Sequence, residues 1–142
     1  MKLILTRHCE TDWNKEDRIQ GHTDIPLNQT GRKQARKLAE RLQEHPISLI
    51  ISSDLKRAYE TARILSKILD CGVEQDPRLR ECRLGSLEGK TRKEAEKILG
   101  SQWPTDLAKY DFHEFGGENR GQVLDRHFSL FHELRRRYSG KT

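Results

Sequence analysis

The stretch Leu49-Ile50-Ile51-Ser52-Ser53-Asp54-Leu55, continued to Leu69, decides the fold of this chain. Three apolar residues closed by Ser52-Ser53-Asp54 read as a short buried strand. From about Leu55 to Leu69, Ala58, Ala62, Leu65 and Leu69 then recur on one side at helical spacing, and Cys71-Gly72 stops the helix. Val73 to Gln75 follows as a short edge strand before Asp76-Pro77. Upstream, Leu3 to Leu5 reads as another short buried strand, ending at Thr6-Arg7-His8. The stretch from Cys9 to Thr30 is loop-like, with turn signals at Gly21, Asp24-Ile25-Pro26 and Asn28. Thr30-Gly31 opens a helix in which Ala35, Leu38, Ala39 and Leu42 share a face, up to His45-Pro46. Thr91 to Leu99 and Gln122 to Tyr138 form two further helices, divided by a polar segment around Trp103-Pro104 and Gly116-Gly117. Strand, helix, strand, helix is the alternation of an α/β chain with a mostly parallel sheet covered by helices. A length of 142 residues allows one domain, residues 1–142.

The composition is polar, with 35% charged and 33% hydrophobic residues and a mean hydropathy of −0.91. That is low for a domain of this size and leaves it short of core material. The net charge of +5 suits an anionic ligand without choosing one. Much of the positive charge lies on helices, at Arg32-Lys33, Arg36-Lys37 and Arg135-Arg136-Arg137, as solvated faces do. No aromatic residues interleave with these clusters as a single-strand binder needs, so nucleic acid is not the expected partner. Cys9, Cys71 and Cys82 are an odd count without CxxC or metal-ligand spacing. Neither a disulfide framework nor a metal site is expected, and a cytoplasmic, reducing location is the default. The N-terminus runs straight into its strand with no room for a signal peptide, and no apolar run is long enough for a membrane.

In an open α/β sheet, ligands bind at the strand ends. His8 follows the first strand and Ser52-Ser53-Asp54 the second, so their loops should open on one sheet edge. A neutral imidazole nitrogen can attack phosphorus, and a neighbouring guanidinium can hold phosphoryl oxygens in a fork. Arg7-His8 supplies both groups, although an isolated Arg-His dipeptide is usually incidental.

The accompanying pattern is specific. Thr6-Arg7-His8-Cys9-Glu10-Thr11-Asp12-Trp13-Asn14 resembles the RHGET-x-WN signature of the histidine phosphatase superfamily, also called the phosphoglycerate mutase-like family. Arg18-x-Gln20-Gly21-x-x-Asp24-x-Pro26-Leu27 is similar to its phosphate-pocket loop, and Gly31-x-x-Gln34-Ala35 to its first helix. Ser52-Ser53-Asp54-Leu55-x-Arg57-Ala58-x-x-Thr61-Ala62 resembles its second arginine motif. Leu79-Arg80-Glu81, with Gly85 and Glu88-Gly89, resembles its acidic segment, and Gly116-Gly117-Glu118 the GGES opening its late helix.

The resemblance implies a three-layer α/β/α sandwich around a mostly parallel sheet. It implies His8 as a nucleophile forming phosphohistidine, Arg7 and Arg57 holding the phosphoryl group from two sides, and Asn14 donating a hydrogen bond. Gln20-Gly21 would lie near the same group, and Glu81 would be the general acid and then the general base. It implies no metal and no cofactor. Plainer readings stand beside these: Arg57 as an exposed helix pair with Glu60, Glu81 as a surface carboxylate between Arg80 and Arg83, Asn14 as a turn cap. His22, His45, His113, His127 and His132 match no catalytic position and read as surface or packing residues.

Two departures qualify the resemblance. Cys9 stands where the family has Gly most often. The family pattern also continues past a segment like Ser139-Gly140-Lys141-Thr142 into an apolar strand ending in Ser-His-Gly-Gly, which carries a second catalytic histidine and lies between the strands at Leu3 and Leu49. Because the sequence stops at Thr142, the expectation is a C-terminally truncated domain, an incomplete sheet and weak or absent turnover. The leading expectation for the lineage is a phosphomonoester hydrolase acting on a small phosphorylated metabolite (a phosphoglycerate, a sugar phosphate or α-ribazole phosphate). The short segment between Glu81 and Gly116, where mutases carry a longer insertion, favours it over a phosphoglycerate mutase. A truncated, non-catalytic protein that binds inorganic phosphate or serves as an interaction protein is the other alternative, and a homodimer stays open. Specificity should come from the region between about Thr91 and Glu114, with Trp103-Pro104 at the rim of the site or in a satellite cluster.

Overall fold

A computed structural model of the chain describes residues 2–100 and 111–138. The strand read at Leu49 is present as β1 (Leu49–Ser52), and helix α3 (Lys56–Leu69) returns the chain to a second strand, β2 (Gly72–Gln75). The two strands pair in parallel, Leu49 opposite Gly72 through Ser52 opposite Gln75. A parallel pair needs a crossover of this length, and the amphipathic α3 supplies it. Asp70 turns the chain at the end of α3 in the left-handed region, φ 52°, and its N–H bonds the Ser66 carbonyl. Helix α2 (Gln29–Leu42) packs on α3 through Ala35 and Ala39, whose small side chains let the two axes approach around Leu65. Leu38, Leu42, Ile50, Ile64, Ile68 and Leu69 pack against this core, as does Cys9. Burying a residue such as Leu65 contributes roughly 1.5–3 kcal/mol.

Leu3 to Leu5 is a correction to the sequence reading. The segment forms no strand, and Leu3, Ile4 and Leu5 are 50%, 38% and 76% exposed. The described sheet is β1 and β2 alone. An extended run becomes a strand only where a neighbour supplies donors and acceptors along it, and none of the described residues does so here.

The loop-like stretch from Cys9 holds a helical turn, α1 (Asp12–Lys15), which Thr11 and Asn14 close as a reciprocal capping box. Asn28, read as a turn residue, is the N-cap of α2, and its Oδ1 accepts the Gly31 N–H at 2.8 Å. A second core joins Leu87, Ala95 and Phe112 with Ile19, Cys82, Leu84, Leu99 and Phe115. Ala95 belongs to α4 (Arg92–Leu99), and Phe112 leads to α5 (Arg120–Arg137), capped by Asn119. Leu130 and Leu134 are buried on α5, and Glu133 and Arg137 tie it to Arg78 and to Glu74 of β2. Trp103-Pro104 and Ser139 to Thr142 lie outside the described residues.

Candidate active site

Arg7, His8, Asn14, Gln20, Gly21, Arg57 and Glu81, all of the residues singled out in the sequence, line one cleft of about 610 Å³. They arrive from separate places: the loop after the N-terminal segment, the cap of α1, the loop before α2, the first turn of α3 and the irregular stretch before the second core.

The loop carrying His8 has no regular structure, so its backbone is held by side chains. The Cys9 N–H donates to Thr61 Oγ1 at 3.1 Å, and the Glu10 N–H to Gln34 Oε1 at 3.0 Å. Asn28 donates its N–H to the Glu10 carbonyl and its Nδ2 to the Glu10 carboxylate. Gly31 lies so close beneath this loop that a Cβ would overlap the Glu10 carbonyl oxygen. The motif Gly31-x-x-Gln34 therefore acts twice on one neighbour, by close approach and by hydrogen bond.

His8 Nδ1 lies 2.7 Å from the Cys9 carbonyl oxygen. A carbonyl only accepts, so Nδ1 carries the proton and Nε2 keeps its lone pair. Burial pushes the His8 pKa below 6.5, and the positive charges of Arg57 and Arg7 add to that, against the raising effect of the Cys9 bond and Glu81. The ring is thereby held neutral, the form in which it is a nucleophile.

Arg57 is only 2% exposed, which excludes the surface helix pair with Glu60. Its Nη1 donates to Thr23 O at 2.9 Å and its Nη2 to Gly21 O at 2.6 Å, while Glu60 instead bonds Arg32 and the Leu27 N–H. Arg7, by contrast, is exposed on the cleft wall. Asn14 does cap the turn, through Oδ1, which accepts from the Thr11 N–H and hydroxyl at 3.0 Å each. The capping uses only the acceptor end of its amide, so the side chain both caps α1 and lines the cleft. Gln20 is buried, and its Oε1 lies 3.0 Å from Thr11 Oγ1, whose single proton it shares with Asn14 Oδ1. Glu81 is exposed at the cleft edge, and its Oε1 accepts from the following Cys82 N–H. Neither Arg80 nor Arg83 pairs with it: Arg80 forks onto Asp54, and the Arg83 N–H goes to Glu118.

Residues 3–142 match the family model described as histidine phosphatase superfamily (branch 1). The chain belongs to the histidine phosphatase superfamily. It is 38% identical over 146 residues to phosphoglycerate mutase-like protein 4 of Arabidopsis thaliana, covering 99% of this chain and 63% of that protein. It is 40% identical over 136 residues to the glucosyl-3-phosphoglycerate phosphatase of Mycolicibacterium vanbaalenii, covering 94% and 59%. Among solved structures, a mycobacterial glucosyl-3-phosphoglycerate phosphatase in complex with VO3 superimposes with a TM-score of 0.82 at 39% identity, over 89% of this chain and 61% of that one. That phosphatase has also been solved with inorganic phosphate. The chain thus spans about six-tenths of the length of these relatives.

Several residues of this histidine phosphatase chain hold the site without having been assigned a role in the sequence. Thr61 links the His8 loop to α3, since its hydroxyl also donates to Arg57 O at 2.8 Å. Glu88 organises the loop that receives Arg57. It accepts from the His22 and Leu84 N–H groups at 3.0 Å each and from Thr23 Oγ1 at 2.6 Å. Burial alone would raise the Glu88 carboxyl, but these bonds outweigh it and leave its pKa below the usual value. Both residues stand inside quoted motifs, which is the signal that points to them. His22, read as a surface or packing residue, donates from Nε2 to the Glu81 carbonyl at 2.8 Å. Arg126 reaches the same carbonyl at 3.0 Å from α5, and its signal is subtler: a cation in register with the buried Leu130 and Leu134.

Proposed function

We propose that this protein is a phosphomonoester hydrolase that works through a phosphohistidine on His8. The observation that carries the reading is the His8 ring itself: Nδ1 is committed to the Cys9 carbonyl, and burial and two arginines favour the neutral ring. Nε2 attacks phosphorus, forming the N–P bond as the P–O ester bond breaks. Arg57, fixed by Gly21 and Thr23, and Arg7, exposed on the cleft wall, neutralise the oxygens of the transferring group. The Asn14 amide adds a neutral donor. Glu81 gives its proton to the leaving alkoxide, then takes one from the water whose oxygen replaces Nε2 on phosphorus. The electron pair of the broken N–P bond returns to the ring, and inorganic phosphate leaves.

The substrate class is a small phosphorylated metabolite, in keeping with the glucosyl-3-phosphoglycerate phosphatases among its relatives and the VO3 and phosphate bound by one of them. A reducing, cytoplasmic setting belongs to the same proposal, supported by three unpaired cysteines. The test is direct: incubate the chain with a phosphate-labelled ester, quench in base and map the label. Base-stable, acid-labile label on His8 that disappears in His8→Ala is the expected result. Phosphate binding without label would support the non-catalytic anion binder instead.

A further inference from the structure

We propose that Arg126, together with Glu118 and His22, is the positioning apparatus of Glu81, holding the backbone from which its carboxyl reaches the leaving group. This rests on the reading of Glu81 as the general acid.

Residues 80–84 run in irregular backbone between the 3₁₀ turns Pro77–Leu79 and Gly85–Leu87, and among the described residues no backbone N–H reaches the Arg80 and Glu81 carbonyls. Arg126 supplies the donors. Its Nη1 donates to Arg78 O at 2.7 Å and Arg80 O at 2.6 Å, and its Nη2 to Glu81 O at 3.0 Å. Its remaining N–H groups, one on Nε and one on Nη2, fork onto Glu118 at 3.1 and 3.0 Å. A guanidinium has five N–H groups in a rigid plane, and all five are committed here. Glu118 in turn accepts the Arg83 N–H at 2.8 Å, gripping the chain on the far side of Glu81. Burial works to raise the Glu118 carboxyl, yet the Arg126 fork and the Arg83 bond bring its pKa below the usual range, so the clamp is charged on both sides. His22 adds a further donor through its bond to Glu81 O, with its Nε2 also 3.8 Å from the Glu118 carboxylate. Neither Arg126 nor Glu118 lines the cleft, so their effect on chemistry passes through Glu81.

The requirement for a general acid depends on the leaving group, and that separates positioning from support of the fold. An alkoxide must be protonated as it leaves, whereas p-nitrophenolate leaves unaided. The experiment compares kcat/KM for an alkyl phosphate (3-phosphoglycerate) with that for p-nitrophenyl phosphate, in the wild type, Arg126→Lys, Glu118→Gln and His22→Ala. The ratio kcat/KM reports only the steps through leaving-group departure, so the later role of Glu81 as base does not enter. The expectation is a fall of roughly 10–100-fold on the alkyl ester, part of the 10²–10⁴ a general acid contributes, with the aryl ester within about threefold. His22→Ala removes one side chain from the rim of the clamp and guards against Arg126→Lys failing to fold. Equal losses on both esters, or no loss on either, overturn the inference while leaving the proposed function standing. Absence of His8-dependent turnover of both esters by the wild type removes the proposed function, and this inference with it.

Discussion

Thr61→Val isolates the joint between the His8 loop and α3. Thr61 is 4% exposed, and Val has nearly its shape, so the substitution exchanges one hydroxyl for a methyl and leaves no sizeable cavity. The hydroxyl has two partners. Its bond to Arg57 O is dispensable, because that carbonyl keeps the i→i+4 N–H inside α3. Its acceptance of the Cys9 N–H is not dispensable, because among the described residues no other acceptor is bonded to that group. A buried donor left unpaired costs about 1–3 kcal/mol, and the partial burial of the Cys9 bond points to the lower half of that range. For a chain of this length that corresponds to a fall in Tm of roughly 3–7 °C. Thr61→Ser keeps the hydroxyl and loses one methyl, about 0.8 kcal/mol, so it should be the milder change. Thermal unfolding followed by circular dichroism ranks the three proteins, and His8 labelling measures whether the loop has moved. A valine variant as stable and as readily labelled as the wild type, or a serine variant worse than the valine one, would refute the reasoning.

Gly21 sits at φ +51°, and a Cβ on it would overlap the Glu88 carboxylate. Gly21→Ala should therefore displace the loop that bonds Arg57 and weaken vanadate binding at least tenfold, as read by calorimetry; unchanged affinity would contradict this. The His8 ring should titrate below pH 6.5, since burial and then Arg57 and Arg7 disfavour its proton; a ring-proton NMR midpoint at or above 6.5 would count against that. Because the folded pKa is depressed, this neutral ring contributes stability above about pH 6.5 that is lost as pH falls through the folded value. Asp54 has the same sign at lower pH: the Arg80 fork, the largest effect, holds its pKa below 3.8. Its contribution is present above about pH 4 and lost as pH falls through the depressed value, so Asp54→Asn should destabilise at pH 7 and converge with the wild type in acid; parallel urea-midpoint curves at every pH would sink this.

What the sequence revealed and what it hid follow one physical line. Helices α2 and α3 are written in local periodicity, and Ala35, Ala39, Ala62 and Leu65 are buried as their spacing requires. Leu3 to Leu5 carries the residue types of a strand, but strand formation is a property of a pair, and the partner is a non-local fact that no propensity contains. The same division runs through the site. Arg7, His8, Arg57 and Glu81 are visible because their motifs are short and contiguous, and all of them meet in the cleft. What fixes them is scattered: Thr61 lies 52 residues from the Cys9 it holds, and Arg126 lies 45 residues from the Glu81 it holds. Both work on irregular backbone, where each orphan N–H or carbonyl needs some partner but nothing in the local sequence says which. A cation in register with Leu130 and Leu134 is the trace such a partner leaves, because a guanidinium facing inward must find acceptors, and the backbone carbonyls of an irregular segment supply them.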